Sequence, residues 1–330
     1  MLDQTKLPAE EVVMHITDVD ELITSIKRLS IRGAPALGVA GAYGMLLVAD
    51  EWKHSSAPPD WDQFRSDLEP LQNARPTAVN LSWAIIRILD EVQSRNPETK
   101  SDAYTIMEQE AFALHREDED RCRKIGEYGA ALLSDSLQII THCNTGALAT
   151  GGIGTALGVI YSAAMHGKHI HVYADETRPL LQGSRLTAWE LRRAEIPVTV
   201  MTDGMAASLM QREDIDAVIV GADRIANNGD TANKIGTYQL AIVAREHGVP
   251  FYVAAPTSTI DTRLDSGEAI PIEMRGSDEI VRWGNIQTAP ENIRVYAPAF
   301  DVTPAKYISG IITDIGIARE PYNFRGFTES

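Results

Sequence analysis

Fourteen residues, Thr141 to Gly154, read THCNTGALATGGIG and follow the apolar run LQII. Two chemistries compete for them. Glycines behind a strand can bring a phosphate onto a helix N-terminus, whereas a cysteine at a strand end can serve as a base, a nucleophile or a proton donor. A dinucleotide fingerprint needs its first glycine directly after the strand, so that the turn is tight. Gly152, Gly154 and Gly158 instead give G-x-G-x-x-x-G, one residue too long, and begin roughly ten residues past the apolar run. Cys143 stands where the fingerprint belongs. A cysteine is often only a small buried hydrophobe, but here its neighbours are His142, Asn144 and Thr145. That setting favours a working thiol, with the glycines allowing close approach of chain and helix. Asp175 ends the next apolar run, as a ribose-binding acid would, so an NAD-dependent oxidoreductase is the competing reading.

Asp223 follows the apolar run AVIVGA. Desolvation there would raise its pKa and keep it protonated as a general acid; pairing with Arg224 would instead make a structural salt bridge and lower it. Both readings stay open on local sequence. Arg32 in IRGAPALG and Arg75 in ARPTAVN each precede an expected helix with a proline near its first turn, and Arg178 in TRPLLQG has a related setting. A helix N-terminus offers free N–H groups and a partial positive charge, and an arginine beside it completes an anion pocket. In a chain of net charge −16, three such arginines suggest a focused phosphate site. The glycines of GAPALGVAGAYG also fit close helix packing. Cys122 sits in the charged stretch REDEDRCRKIGE and reads as a half-exposed helix residue. His166, His169 and His171 read as a polar strand edge rather than a metal site.

These groups need elements to hold them. From about residue 117, β-branched runs (LQIIT, HIHVYA, PVTVMT, DAVIVG, VPFYVAA) alternate with helical stretches. That rhythm predicts βαβ units and a doubly wound parallel sheet. A further strand NIRVYAP and a helix TPAKYISGIITDIG, capped by Thr303 with Pro304 at its first position, are expected to close it. Ligands of such sheets bind beyond the carboxyl ends of the strands. Those ends carry His142 to Thr145, then Asp175, Glu176, Arg178 and Gln182, then Asp203, then Asp223 and Arg224, and then the polar loop ANNGDTANK with Asn233 and Lys234. Residues 1–116 carry helical periodicity and predict a smaller, mainly helical domain, with residues 117–330 forming the α/β domain. The last helical pattern is expected to run as one long helix into it.

The 330 residues are 44% hydrophobic, enough for a sizeable core. No run is long enough for a membrane span, and MLDQTKLPAE carries no signal-peptide pattern. The acidic balance argues against nucleic-acid or anionic-membrane partners. Two cysteines make a disulfide framework unexpected and a reducing cytoplasm the default.

Together IRGAPALGVAGAYG, ARPTAVNL, THCNTGALAT, GTALGVI, ETRPLLQGSRLTAWEL, GADRIANNGDTANKIGTYQLA, AAPTSTID, IPIE and PAFDVTPA resemble the methylthioribose-1-phosphate isomerase family of methionine salvage. The wider group includes ribose-1,5-bisphosphate isomerases and the regulatory subunits of translation initiation factor 2B. The resemblance implies a Rossmann-like second domain without nucleotide, no metal or cofactor, a sugar-phosphate substrate and a homodimer. It makes Cys143 the catalytic cysteine and Asp223 the proton donor. It assigns Arg32, Gly33, Ala34, Arg75, Gln182, Asn233 and Lys234 to substrate binding. Relatives usually carry a short extra strand before this N-terminus. Ser184, Met274 and Ala297 replace the alanine, acidic residue and asparagine more usual at those positions. None is one of the matched pair; Met274 and the N-terminus bear on which substituent the sugar carries at C5. An isomerase of a related sugar phosphate, 5-deoxyribose 1-phosphate or ribose 1,5-bisphosphate, and a non-catalytic regulatory subunit are the alternatives.

Overall fold

The computed structural model describes residues 1–75 and 79–326. It contains two compact units: Met1–Arg121 with Ala147–Gly154, and Cys122–Gly146 with the chain from Thr155 onward.

The first unit is built from α1 (Val19–Lys27), α2 (Ala34–Val48), α3 (Trp61–Gln72), α4 (Val79–Ser94) and most of α5 (Lys100–Ala130). Asp18 and Asp60 start α1 and α3 by accepting from the amides of Glu21 and Gln63, which satisfies donors that the helix leaves open. The periodic faces of α1, α3 and α4 bury Leu22, Ile26, Phe64, Leu68, Leu81 and Ile85 in one core. α2 is apolar almost all round, and most of it is buried, as expected of a helix surrounded by others. A Cβ on Gly41 would lie 2.9 Å from the Leu81 carbonyl oxygen, so this glycine lets α2 and α4 pack backbone to backbone. The predicted long helix is present as α5.

The second unit runs β1 (Ser136–Thr141), α6 (Ala156–Met165), β2 (His169–Asp175), α7 (Ala188–Arg193), β3 (Val198–Met201), α8 (Ala206–Met210), β4 (Ala217–Val220), β5 (Arg224–Ala226), β6 (Thr231–Lys234), α9 (Thr237–Glu246), β7 (Phe251–Ala254), β8 (Ile260–Asp261), α10 (Asp278–Val281), β9 (Arg282–Trp283), β10 (Ile286–Gln287), β11 (Phe300–Thr303), β12 (Gly310–Thr313) and β13 (Gly316–Ala318). The main sheet has the order β13-β12-β7-β4-β1-β2-β3. Its pairings are parallel except at the β12–β13 edge. Ile139, Val172 and Ile219 face one apolar layer with Leu157 and Val159 of α6. Ile140, Val218 and Val220 face the other, with Leu240 and Ala241 of α9. Each such buried aliphatic side chain contributes about 1.5–3 kcal/mol, and covering both faces is why the strands read as unbroken apolar runs. The strand order grows outward from β1 in both directions, so the chain reverses between β1 and β4. That crevice is the topological switch point of the doubly wound fold. The expected α/β architecture is therefore present.

Three sequence expectations are corrected. TPAKYISGIITDIG does not form a helix: Ala305–Tyr307 make one 3₁₀ turn, and Gly310–Thr313 and Gly316–Ala318 are strands. Ile311 and Ile312 pair with Val253 and Ala254 of β7, a sheet position that suits β-branched residues better than a helix does. NIRVYAP is not a strand. Pro298 makes a single bridge to Met274, and the chain enters a strand only at Phe300, where β11 pairs antiparallel with β6. Cys122 is 1% exposed rather than half-exposed: on a long helix one position in a charged run still faces the core. Among the described residues no helix is long and apolar enough to cross a membrane.

Candidate active site

Cys143 lies two residues beyond β1 and is 7% exposed. Its backbone is left-handed, with φ 67°. A non-glycine residue held there costs on the order of 1–3 kcal/mol, and it persists only where its surroundings over-determine it. Those surroundings are two buried threonines. The Cys143 amide donates to Thr177 Oγ1 at 2.8 Å, and Thr187 Oγ1 donates to the Cys143 carbonyl at 2.6 Å. Thr177 donates its own hydroxyl to the Asp175 carbonyl and is itself left-handed, with φ 64°. Asp203, in the turn after β3, holds that conformation: its two carboxylate oxygens accept from the amides of Thr177 and Arg178, each at 2.8 Å. Gly183 packs against the Asp175 carbonyl so closely that a Cβ would overlap it. The residues from Gly183 to Thr187 form a π-helical turn, a distortion common at functional sites. The loop after β2 is thus folded around the cysteine. On the other side, the Asn144 amide donates to Glu190 Oε1 at 2.7 Å.

His142 is fully buried between two acceptors. Its Nε2 lies 2.9 Å from the Ile235 carbonyl, and its Nδ1 lies 3.0 Å from Asp175 Oδ2. A carbonyl can only accept, so Nε2 carries a proton and a second proton lies between Nδ1 and Asp175. Burial pulls the imidazole pKa down, but the hydrogen bond and charge of Asp175, with Asp203 behind it, outweigh this and raise it. Burial likewise raises Asp175 above the usual carboxylate range, against the opposing pull of His142. Both shifts point the same way, toward the pair keeping the proton that the geometry places between Nδ1 and Asp175. His142, Asp175 and Asp203 lie close enough together to suggest a metal trio, yet both ring nitrogens are engaged. The cluster fits a hydrogen-bonded relay better than a metal site. The chain closes over His142 at Gly236, φ 102°, where a Cβ would lie 2.9 Å from the ring. Asp301 of β11 accepts from the amides of Gly236 and Tyr238, supplying the N-terminus of α9 with the cap that its own sequence lacks. Burial raises the Asp301 carboxyl despite those bonds.

Asp223 lies three residues beyond β4, half-buried, and its amide donates to the Ala232 carbonyl. Arg224 reaches Asp261 at 3.8 Å. β1 and β4 are neighbours, with Ile139 beside Ala217 and Ile140 beside Val218, so Cys143 and Asp223 end adjacent strands on the two sides of the switch point. The loop ANNGDTANK is in fact the hairpin β5–β6. It carries Asn233, whose side-chain amide donates to Thr237 Oγ1 at 3.0 Å, and Lys234, whose Nζ lies 4.8 Å from the Phe300 ring centre. Gln182 is 3% exposed, and its Oε1 is buried with no hydrogen-bond partner, as is Thr145 Oγ1. Unmet buried acceptors at the mouth of a sheet are what a polyhydroxylated ligand would satisfy.

The remaining assigned residues belong to the first unit. Arg32, Gly33 and Ala34 open α2. Gly33 is its N-cap, with φ 98°, no capping side chain and no acid in the first turn, which leaves an N-terminus open to an anion. A Cβ on Gly33 would overlap Ala149. Arg75 precedes α4, and the proline expected to start that helix, Pro76, lies outside the described residues. Arg178 departs from the three-arginine reading. Its guanidinium donates to the carbonyls of Pro179, Glu279 and Ile280 and lies over Trp283, so the fold uses it to anchor a loop. The glycine cluster also has structural duties: the Gly151 amide donates to Asp118 and the Gly152 amide to Thr150.

Sequence reasoning placed Cys143, Asp175, Asp203 and Asp223 at one rim but missed Thr177, Thr187 and Glu190. No periodicity marks a threonine whose task is to hold another residue's backbone. Gly183, inside a polar loop, was the available signal.

Known proteins share this arrangement of chain. A 5-deoxyribose 1-phosphate isomerase of Moorella thermoacetica is 51% identical over 326 residues, covering 98% of this chain and 92% of its own. A methylthioribose-1-phosphate isomerase of Pelotomaculum thermopropionicum is 50% identical over 323 residues, covering 98% and 89%. The crystal structure of 5-methylthioribose 1-phosphate isomerase from Pyrococcus horikoshii superposes with a TM-score of 0.90 at 44% identity, covering 100% of this chain and 92% of that one. That of the translation initiation factor eIF-2B subunit delta from A. fulgidus gives 0.88 at 44% identity, covering 100% and 96%. The family model described as the Initiation factor 2 subunit family matches residues 30–320. A match of that extent, on a sheet whose switch point carries the resemblance's own cysteine and aspartate, means that the chain belongs to the initiation factor 2 subunit family.

Proposed function

We propose that this chain is an aldose–ketose isomerase that converts 5-methylthioribose 1-phosphate to 5-methylthioribulose 1-phosphate. The observation that carries the reading is the position of Cys143 and Asp223 just beyond the carboxyl ends of the two strands flanking the switch point. Near-full-length relatives at about half identity bear the matching names. The orphaned Gln182 Oε1 supports a hydroxyl-bearing ligand.

The phosphate on the anomeric oxygen prevents the sugar from opening to an aldehyde. An acid must protonate the ring oxygen, the C1–O bond must break, and the hydrogen on C2 must move to C1 while the C2 hydroxyl loses its proton. Asp223 is the acid in this reading. Cys143 serves as the base if C2 is deprotonated through an enol phosphate, or as a neutral neighbour that stabilises the cation if hydride moves directly. A positioned acid or base contributes roughly 10²–10⁴-fold. Arg32, Gly33, Ala34 and Arg75 grip the phosphate in this proposal, and Gln182, Asn233 and Lys234 bind the sugar, which adds orientation.

The methylthio substituent is one of two readings with specific support, because the relative at 51% identity is named for 5-deoxyribose 1-phosphate. Purified protein incubated with each sugar phosphate in turn, with ketose formation followed over time, separates them. The expected outcome is a higher kcat/KM for the methylthio sugar. A higher value for the deoxy sugar reassigns the substrate, and no ketose from either leaves the regulatory-subunit reading. Deuterium at C2 retained at C1 in ordinary water identifies hydride transfer, and washout identifies proton transfer. Placement in methionine salvage, a cytoplasmic location and a homodimer belong to the same proposal. Met274, Trp283, Ile286, Ile293 and Tyr296 are large apolar side chains left exposed between residues 274 and 296, and a second copy of the chain is the partner proposed to cover them.

A further inference from the structure

We propose that Thr177 and Thr187, with Asp203 behind them, are positioning residues for the thiol: they force Cys143 into its left-handed backbone conformation. The inference rests on the isomerase reading for its kinetic test, and on geometry alone for its structural one.

Both backbone polar groups of Cys143 end on threonine hydroxyls, its N–H on Thr177 and its C=O on Thr187. Both threonines are completely buried, so water cannot replace either hydroxyl. Thr177 holds φ 64° where Cys143 holds φ 67°. Two strained residues hydrogen-bonded to one another require an outside clamp. Asp203 provides it by accepting two successive amides with its two carboxylate oxygens. The three residues come from different places in the chain: Thr177 from the loop after β2, Thr187 from the π-helical turn, and Asp203, which acts on Cys143 only through Thr177, from the turn after β3. Strain held at one residue by two buried side chains, one of them clamped in turn, points to a position fixed for its side chain rather than for the fold. A general base or cation-stabilising sulfur must sit within a fraction of an ångström of its target. Displacement by about 1 Å costs on the order of 100-fold in rate.

The test compares Thr177→Val, which keeps shape and loses the hydroxyl, with Thr177→Ser, which keeps the hydroxyl, and with Cys143→Ser as reference. On the isomerase reaction Thr177→Val is expected to lose about 100-fold in kcat with KM changed less than about 3-fold, and Thr177→Ser to recover most of that loss. A crystal structure of Thr177→Val is expected to show residue 143 at negative φ. Should Thr177→Val fail to fold, Thr187→Val, which removes the hydroxyl that donates to the cysteine carbonyl, carries the same two expectations. Wild-type kcat in the valine variants beside an inactive Cys143→Ser overturns the positioning role and leaves the isomerase reading standing. Full turnover in Cys143→Ser overturns the thiol's part in that reading, and the crystallographic arm then decides the proposal by itself. Residue 143 still at positive φ without either hydroxyl overturns it.

Discussion

Cys143 and Asp223 stand just beyond the carboxyl ends of two neighbouring strands, and the proposed reaction uses both. Cys143→Ser exchanges a soft, acidic sulfur for a far less acidic hydroxyl that stays un-ionised and so cannot take a proton, and Asp223→Asn removes the transferable proton. Each variant is expected to lower kcat at least about 100-fold, with the melting temperature near that of the wild type, as steady-state kinetics and thermal unfolding would show. Turnover within a few-fold of wild type in either would remove that residue from the mechanism. The His142–Asp175 pair gives a second expectation. The folded imidazole holds its proton above the ordinary value of 6.5. Its contribution to stability is therefore complete below pH 6.5 and fades as pH rises through the raised value. Asp175 shifts in the same direction, so it too makes the folded state hold a proton more tightly than the unfolded state. Asp175→Asn removes the partner that raises His142. Urea midpoints measured from pH 6.5 upward should fall less steeply with pH in the variant than in the wild type. Equal slopes would show that the shared proton contributes nothing.

At the scale of elements, the open N-terminus of α2 depends on one glycine. Gly33 combines φ 98° with a Cβ direction blocked by Ala149. Gly33→Ala must either strain the turn or push the Ala147–Ala149 turn away, at a cost of about 1–3 kcal/mol. The variant should unfold at lower urea concentration and show a raised KM for the sugar phosphate. An unchanged urea midpoint would mean that the turn relaxes freely. The elements themselves differ in how plainly the sequence announces them. α5 is long and periodic, and the runs of β1, β2, β4 and β7 are β-branched and recur between helical stretches, so their places follow from pattern and spacing. ISGIIT is too short for that. Six residues with three isoleucines satisfy a helix face and a buried strand equally well, and only the free edge of β7 makes β12 a strand.

For the molecule as a whole, net charge −16 and an anionic substrate coexist only if cations are concentrated where the phosphate lands. In the proposed reading Arg32 and Arg75 meet that need, and the guanidinium of Arg178, held by carbonyls, is committed elsewhere. The exposed apolar residues between Met274 and Tyr296 give the last expectation. Light scattering on the purified chain should report twice the chain mass of 36.1 kDa, and Trp283→Asp combined with Ile286→Asp should shift it toward the single-chain value. A wild-type mass of one chain would refute the homodimer.

The amino-acid sequence by itself determined the doubly wound sheet and the cysteine and aspartate at its rim. Both follow from local information: apolar period sets the strands, and a strand's carboxyl end sets where polar residues can act. Only the tertiary structure decided how the thiol is held, because Thr177, Thr187 and Asp203 act through hydrogen bonds to backbone that lies far away in sequence. It alone also decided that His142 and Asp175 share a proton, since a pKa depends on burial and on which charges the fold brings near.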